Sequence, residues 1–431
     1  MRLAGRVCSQ KQHAGHPFKS YIVLRLLIQN ITRHRRADKF ELQDSRRKKS
    51  ILRYMSKNTG SSFRWRALPL LFRMFFPRPV PAIPAEAPVL QKPIRSVACL
   101  RPGKLGDMIV ATPLFSALKN QGGITRLAVL CSATNEEIIR HNPRIDTLRV
   151  VNFHRISDVL KTIGWLRRQR FDAVMDLTPG FSRTNFLMSY YAGHGTLRAG
   201  IEKELFADRY HIHVGGRESH LADRMLETGE ALTGTRFERP SRFEIYTSAG
   251  DRRAAAEFVS RHKAGGPLLG INLSAGNEHR QWAYERFAAL VSLLSSRAAD
   301  TTMALVAIGQ QREWAERLAA AHSACVAVPQ FPFLTVTELI GACSLLISPD
   351  TALIHAAAAR KVPVVGLYTA HVENSARWGP YHRQGCEVIQ SSSTKTINDI
   401  TPETVCEKTI QVMKKNRNTV KTGLEPASTV D

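Results

Sequence analysis

Asp350, Thr351 and His355 lie in the run LLISPDTALIHAAAARKVPVVGLY (345–368), and their spacing points to phosphate chemistry. Leu345–Ser348 reads as a buried strand, Pro349 opens a turn, and Asp350 and Thr351 stand where helix N-cap residues are expected. Four consecutive alanines, Ala356–Ala359, let the following helix lie close against a sheet, and Val364–Tyr368 reads as the next strand. A βαβ unit of this kind presents free backbone N–H groups and the positive end of a helix dipole at the carboxyl ends of its strands, where a diphosphate binds. His355 falls one turn into the helix, toward the same crevice. Capping alone would explain Asp350 and Thr351, and a partly buried histidine would explain His355, so the rest of the chain has to decide.

Two other stretches add reactive groups. In RPGKLGDMIVATPLFSALK (101–119) a strand runs into a turn with two glycines, and Asp107 stands at the strand's carboxyl end. A carboxylate there can take a proton from an acceptor hydroxyl; the plainer reading is an N-cap. The turn lacks the GxxxxGK[ST] and GxGxxG patterns, which removes support for ATPase and dehydrogenase chemistry. In GINLSAGNEHRQWAYERFAAL (270–290) Ser274 and Ala275 follow a strand directly and offer a hydroxyl and loop N–H groups to phosphate oxygens. Arg280 adds a cation, and a helix starts near Trp282. Glu313, after the strand ending at Ile308-Gly309, is placed to accept from ribose hydroxyls. No metal-binding pair of aspartates stands near a strand end, so no metal ligand is assigned and no cofactor is required.

Positioning these groups takes alternating strands and helices. The strands expected in the first body are Ser96–Leu100, Leu127–Cys131, Leu148–Val151 and Ala173–Leu177. Its helices are Ala111–Lys119, Asn135–His141, Ile156–Gln169, one near His220–Leu232, and Asp251–His262, with a less regular stretch over Gly193–Gly216. The pattern repeats with strands Leu268–Leu273, Thr302–Ile308 and Cys325–Val328, helices Ala283–Ser295, Glu313–Ala321 and Val336–Ala342, then the opening stretch and a closing helix Pro402–Lys415. The expected fold is α/β: two doubly wound, Rossmann-like domains, 94–263 and 264–415, facing each other across a cleft. A basic extension, 1–93, precedes them and a loose tail, 416–431, follows.

The chain has 431 residues, a length that predicts two to three domains, and a net charge of +25. Residues 1–54 carry 14 Lys/Arg against 3 Asp/Glu, which predicts attraction to polyanions. Segment 63–76 reads as an interfacial helix or a packed one, and 77–93, with six prolines, as an extended linker. Seven scattered cysteines without metal-ligand spacing read as free thiols in a reducing compartment. No apolar run is long enough for a membrane span, so the expected location is cytoplasmic.

Together these segments resemble the ADP-heptose:lipopolysaccharide heptosyltransferases of glycosyltransferase family nine. The resemblance rests on the R-x-G-x-x-G-D turn with its following Thr-Pro (Arg101–Pro113), on the strand–loop–basic–x–Trp segment (Asn272–Ala288), and on Asp350–His355 with Val362–Val365 and Trp378–Pro380. It covers about Ile94 to Lys415. The usual glycine after Asp-Thr is Ala352 here, and Arg280 stands where lysine is frequent. The resemblance implies the glycosyltransferase B fold, with the acceptor in the first domain and the donor in the second. It implies inverting transfer of heptose from ADP-heptose to a lipopolysaccharide core, with Asp107 as general base. Ser274, Ala275, Arg280, Glu313, Asp350, Thr351 and His355 become donor-binding positions, and Arg101 and Lys104 acceptor-binding ones. An acidic core acceptor also fits the positive charge, with the protein peripheral on the anionic inner-membrane surface. Two other readings stay open. The enzyme uses another nucleotide sugar for a polysaccharide or glycolipid, or the basic N-terminus makes a nucleic-acid binder of a degenerate enzyme body; the missing RRM-like and helix-turn-helix signatures weigh against the latter.

Overall fold

The structure, a computed structural model, describes residues 93–421 apart from 217–218, 264 and 382–384. The expected basic extension up to residue 92, with its segment 63–76 and most of the proline-rich linker, and the end of the tail, 422–431, lie outside the described residues. Both sheets belong to one compact unit, Pro79–Asp431.

The chain runs β1 (Ser96–Arg101), α1 (Leu105–Ile109), α2 (Thr112–Asn120), β2 (Arg126–Cys131), β3 (Thr147–Val150), α3 (Ile156–Gln169), β4 (Ala173–Asp176), α4 (Arg183–Tyr190), β5 (Leu197–Ile201), β6 (Ile212–Val214), α5 (Leu221–Thr233) and α6 (Ala249–His262). It continues with β7 (Leu268–Asn272), α7 (Tyr284–Arg297), β8 (Thr302–Val306), α8 (Gln311–Ala321), β9 (Cys325–Ala327), α9 (Phe333–Gly341), β10 (Leu345–Pro349), α10 (Ala352–Ala359), β11 (Val364–Tyr368), α11 (Val372–Trp378), β12 (Glu387–Gln390) and α12 (Pro402–Lys421).

Strands such as SVACLR (β1) and VVGLY (β11) are buried along their whole length, as strands covered by helices on both faces must be. All pairings are parallel, in the orders β3-β2-β1-β4-β5-β6 and β12-β11-β10-β7-β8-β9. Strand order therefore reverses between β1 and β4 in one sheet and between β7 and β10 in the other. At such a reversal the flanking helices leave in opposite directions and open a crevice at the carboxyl ends. The two facing doubly wound bodies expected from the sequence are thus present.

Three local expectations are corrected. Asn135–His141 is not an α-helix but a short 3-10 turn, Glu136–Ile138. Asn135 Oδ1 accepts from the backbone N–H of Ser132, its Nδ2 donates to Arg101 O, and Pro143 leaves no room for a longer helix. The irregular stretch Gly193–Gly216 holds β5 and β6, too poor in consecutive apolar residues to announce themselves. The loop after β11 contains α11, and the edge strand β12 follows it. Six cysteines are free and five of them buried; Cys8 lies outside the described residues.

Candidate functional site

At the β1/β4 crevice the turn after β1 is built around Asp107. Gly103 has φ +133°, a left-handed conformation, and a Cβ there would strike the Asp107 carboxylate, so the glycine makes room for that side chain. Asp107 Oδ2 accepts from the backbone N–H of Lys104 at 2.8 Å, the return bond that a carboxylate three residues into a helix makes. The N-terminal capping role is therefore real, and the other oxygen, Oδ1, lies 3.4 Å from Arg101 Nη2. Asp107 keeps 28% of its side chain exposed. Arg101 is 1% exposed, and its Nε donates to Asp107 O and its Nη1 to Leu177 O, both at 2.8 Å. Burial lowers the Arg101 pKa, and the charges of Asp107 and Asp176 oppose that. A guanidinium so enclosed ties the Asp107 turn to the end of β4; of Arg101 and Lys104, both expected to bind acceptor, only Lys104 is exposed.

At the β7/β10 crevice, Asn272 Nδ2 donates to Ser348 Oγ at 2.9 Å and to Thr351 Oγ1 at 3.1 Å, crossing the strand reversal. Thr351 is the N-cap of α10 as expected, its hydroxyl accepting from the Leu353 N–H at 3.3 Å. Arg280 Nη1 lies 3.0 Å from Asp350 Oδ2. Among the described residues its Nε and Nη2 have no acceptor, and a third of the side chain is exposed. Burial raises the Asp350 pKa, against the nearby charges of Arg280 and Lys104. Trp282, wholly buried, explains the basic–x–Trp spacing: its Nε1 donates to Ile400 O at 3.1 Å and anchors the loop that carries Arg280.

Other expected donor groups are placed differently. The Ser274 hydroxyl is engaged with the backbone of Ile308, accepting its N–H at 2.9 Å, and the Ser274 N–H donates to Asn272 Oδ1. The Ala275 N–H donates to Gln281 Oε1 at 3.1 Å. These groups shape the loop and hold it to the segment just after β8. Glu313 is exposed, in the first turn of α8. A cavity of about 250 Å³ at the ends of β8 and β9 is lined by Arg312 and Glu316 of the same helix, along with Ala307 and Pro329.

The two crevices meet. A Cβ on Gly106 would come 3.0 Å from His355 Cδ2 and 3.5 Å from Ala352 Cα, so the second glycine of the turn allows α1 to touch α10. His355 is buried against this contact with its Nδ1 unpartnered, and burial pushes its pKa down to about 3, with the nearby His220 acting in the same direction. The segment from α11 to Tyr381 crosses to the first half. There Arg377 pairs with Glu202, Tyr381 Oη donates to Asp223 at 2.8 Å, and the Trp378 ring lies 6.0 Å from the Arg101 guanidinium.

Sequence reasoning missed Asp176 and Lys203, a wholly buried pair 2.7 Å apart at the end of β4. A carboxylate closing the apolar run AVMD before Thr-Pro-Gly was the one available signal; Lys203, in the stretch GIEKEL, gave none.

Residues 159–405 match the model of glycosyltransferase family 9 (heptosyltransferase). Lipopolysaccharide heptosyltransferase 3 of Escherichia coli K12 is 24% identical over 299 residues, covering 64% of this chain and 82% of the relative. A family 9 glycosyl transferase from Veillonella parvula superposes with a TM-score of 0.64 at 19% identity, over 76% of this chain and 99% of the other. The ADP-heptose lps heptosyltransferase II of E. coli superposes with a TM-score of 0.60 at 18% identity, over 75% and 99%. These two structures share the fold described above.

Proposed function

This chain belongs to glycosyltransferase family 9, and from that membership we propose that it transfers a heptose from ADP-heptose to a lipopolysaccharide core acceptor, with inversion. Asp107 takes the proton of the acceptor hydroxyl as its oxygen attacks the anomeric carbon. The bond from that carbon to the donor's phosphate oxygen breaks, and ADP leaves with the electron pair. Charge developing on the diphosphate is met by Arg280 and by the N-terminus of α10 at Thr351. Asp350 holds Arg280 by one nitrogen, which leaves the others of its fork for phosphate oxygens. Lys104 faces the acceptor.

The observation that carries this reading is the contact of Gly106 with His355 and Ala352, which brings the Asp107 turn and the diphosphate-directed helix to one point. The names of the relatives, heptosyltransferases of lipopolysaccharide, support the substrate class. The chain's net charge of +25 and an acidic acceptor support a location at the cytoplasmic face of the inner membrane; among the described residues no helix is long and apolar enough to cross it. The test is ADP release from ADP-heptose with a truncated lipopolysaccharide core, run beside UDP-sugars and GDP-mannose. Turnover with ADP-heptose alone is expected; turnover with a UDP- or GDP-sugar instead overturns the donor, and nuclear magnetic resonance of the product reports the anomeric configuration.

A further inference from the structure

Lys203 and Asp176 are no more than 3% exposed. Lys203 Nζ has three acceptors: Asp176 Oδ2 at 2.7 Å, Thr178 O at 2.7 Å and Gly180 O at 2.6 Å, so all its protons are used. Asp176 Oδ1 accepts from Asn185 Nδ2 at 2.7 Å and from the Thr178 N–H at 3.1 Å, and Oδ2 from Tyr210 Oη at 3.3 Å. A buried ion pair is a poor source of stability, because desolvation cancels most of the attraction. What this one does is geometric. It grips two carbonyls of the half-buried turn after β4, while Arg101 grips a third, that of Leu177, and holds Asp107 with its remaining nitrogens.

We propose that Asp176 and Lys203 are positioning residues for the transfer: through the Leu177–Gly180 turn and Arg101 they fix one wall of the acceptor site at a set distance from Asp107. This rests on the assignment of Asp107 as base. A wall displaced by about 1 Å costs up to roughly 10²-fold in rate. The donor groups are on the other sheet and do not depend on it.

The test is the double variant Asp176→Asn/Lys203→Met. Asparagine keeps an acceptor for Thr178 and methionine fills the lysine's volume, so no lone charge is buried while the Thr178 and Gly180 carbonyls are released. Acceptor kcat/KM is expected to fall about 10- to 10²-fold, with the Kd for ADP by calorimetry unchanged and amide exchange across Thr178–Phe181 faster. Wild-type kinetic constants per folded molecule would overturn the proposal, and so would equal losses in acceptor turnover and ADP binding. Should the double variant not fold, Gly180→Ala decides: Gly180 has φ +69° with open space around it, so alanine strains that turn alone. A smaller loss of the same kind is expected, and unchanged kinetics would overturn the proposal. Failure of the function itself shows earlier, as a wild-type enzyme inactive with ADP-heptose, and the proposal then falls with its premise.

Discussion

At the β1/β4 reversal the ionic groups are matched to one another, buried Lys203 to buried Asp176 and buried Arg101 to the part-exposed Asp107, whereas at the β7/β10 reversal Arg280 stands a third exposed with two nitrogens unmet among the described residues. The strand order is the same in both sheets, so the difference comes from side chains alone. The first crevice spends its charges on fixing a geometry. The second leaves one cation part-exposed beside a helix terminus, which on the proposed function meets an anion. A base must be held at a set distance from its substrate, while a diphosphate site must gain charge complementarity only when filled.

The largest break in this contrast is Asp107→Ala. Transfer should fall by about 10²- to 10⁴-fold, the range for removing a general base, while calorimetry finds ADP affinity unchanged. An active variant would remove Asp107 from the chemistry and leave it a capping residue. Next, Arg280→Ala should weaken ADP binding by about 10- to 10²-fold, the worth of a charge-assisted hydrogen bond, without altering the order of the Asp107 turn. Equal loss in Arg280→Lys would show that the forked geometry matters as well as the charge.

A third measurement sharpens the contact between the crevices. The His355 pKa falls from 6.5 in the unfolded chain to about 3 in the fold. Between those values the unfolded state binds a proton that the folded state refuses, so this contribution is intact above pH 6.5 and is lost as pH drops toward 3, at about 1.4 kcal/mol per pH unit. His355→Gln removes that slope, and the difference in Tm between wild type and variant should narrow from pH 7.5 to pH 4.5. The smallest effect is expected from Gly106→Ala, whose methyl must push α1 from α10: about 1–3 kcal/mol by thermal unfolding.

Much of this was legible in residue types. Strands buried on both faces show as apolar runs, and glycines, caps and a tryptophan at fixed spacing mark the turns after β1, β7 and β10. What was not legible has physical causes. LRAGI and IHV become strands β5 and β6 because β4 offers an edge to β5 and β5 in turn offers one to β6, a tertiary preference that local composition does not carry. Arg101 and Lys104 look alike as basic residues of one turn, and only packing separates the enclosed one from the exposed one. Ser274 looks free in the sequence, yet its hydroxyl is engaged by the backbone of Ile308, just after β8. Lys203 resembles any surface lysine, since its acceptors, Asp176 and two backbone carbonyls, lie on a different strand and its loop.

The pairing of Arg377 with Glu202 spans 175 residues of sequence, and that separation has a meaning during synthesis. At 5–20 residues per second a ribosome needs about 9–35 s to add that length. For that interval Glu202, buried in the finished fold, waits for its pairing with Arg377. The first half thus lacks this tie until almost the whole second half has emerged.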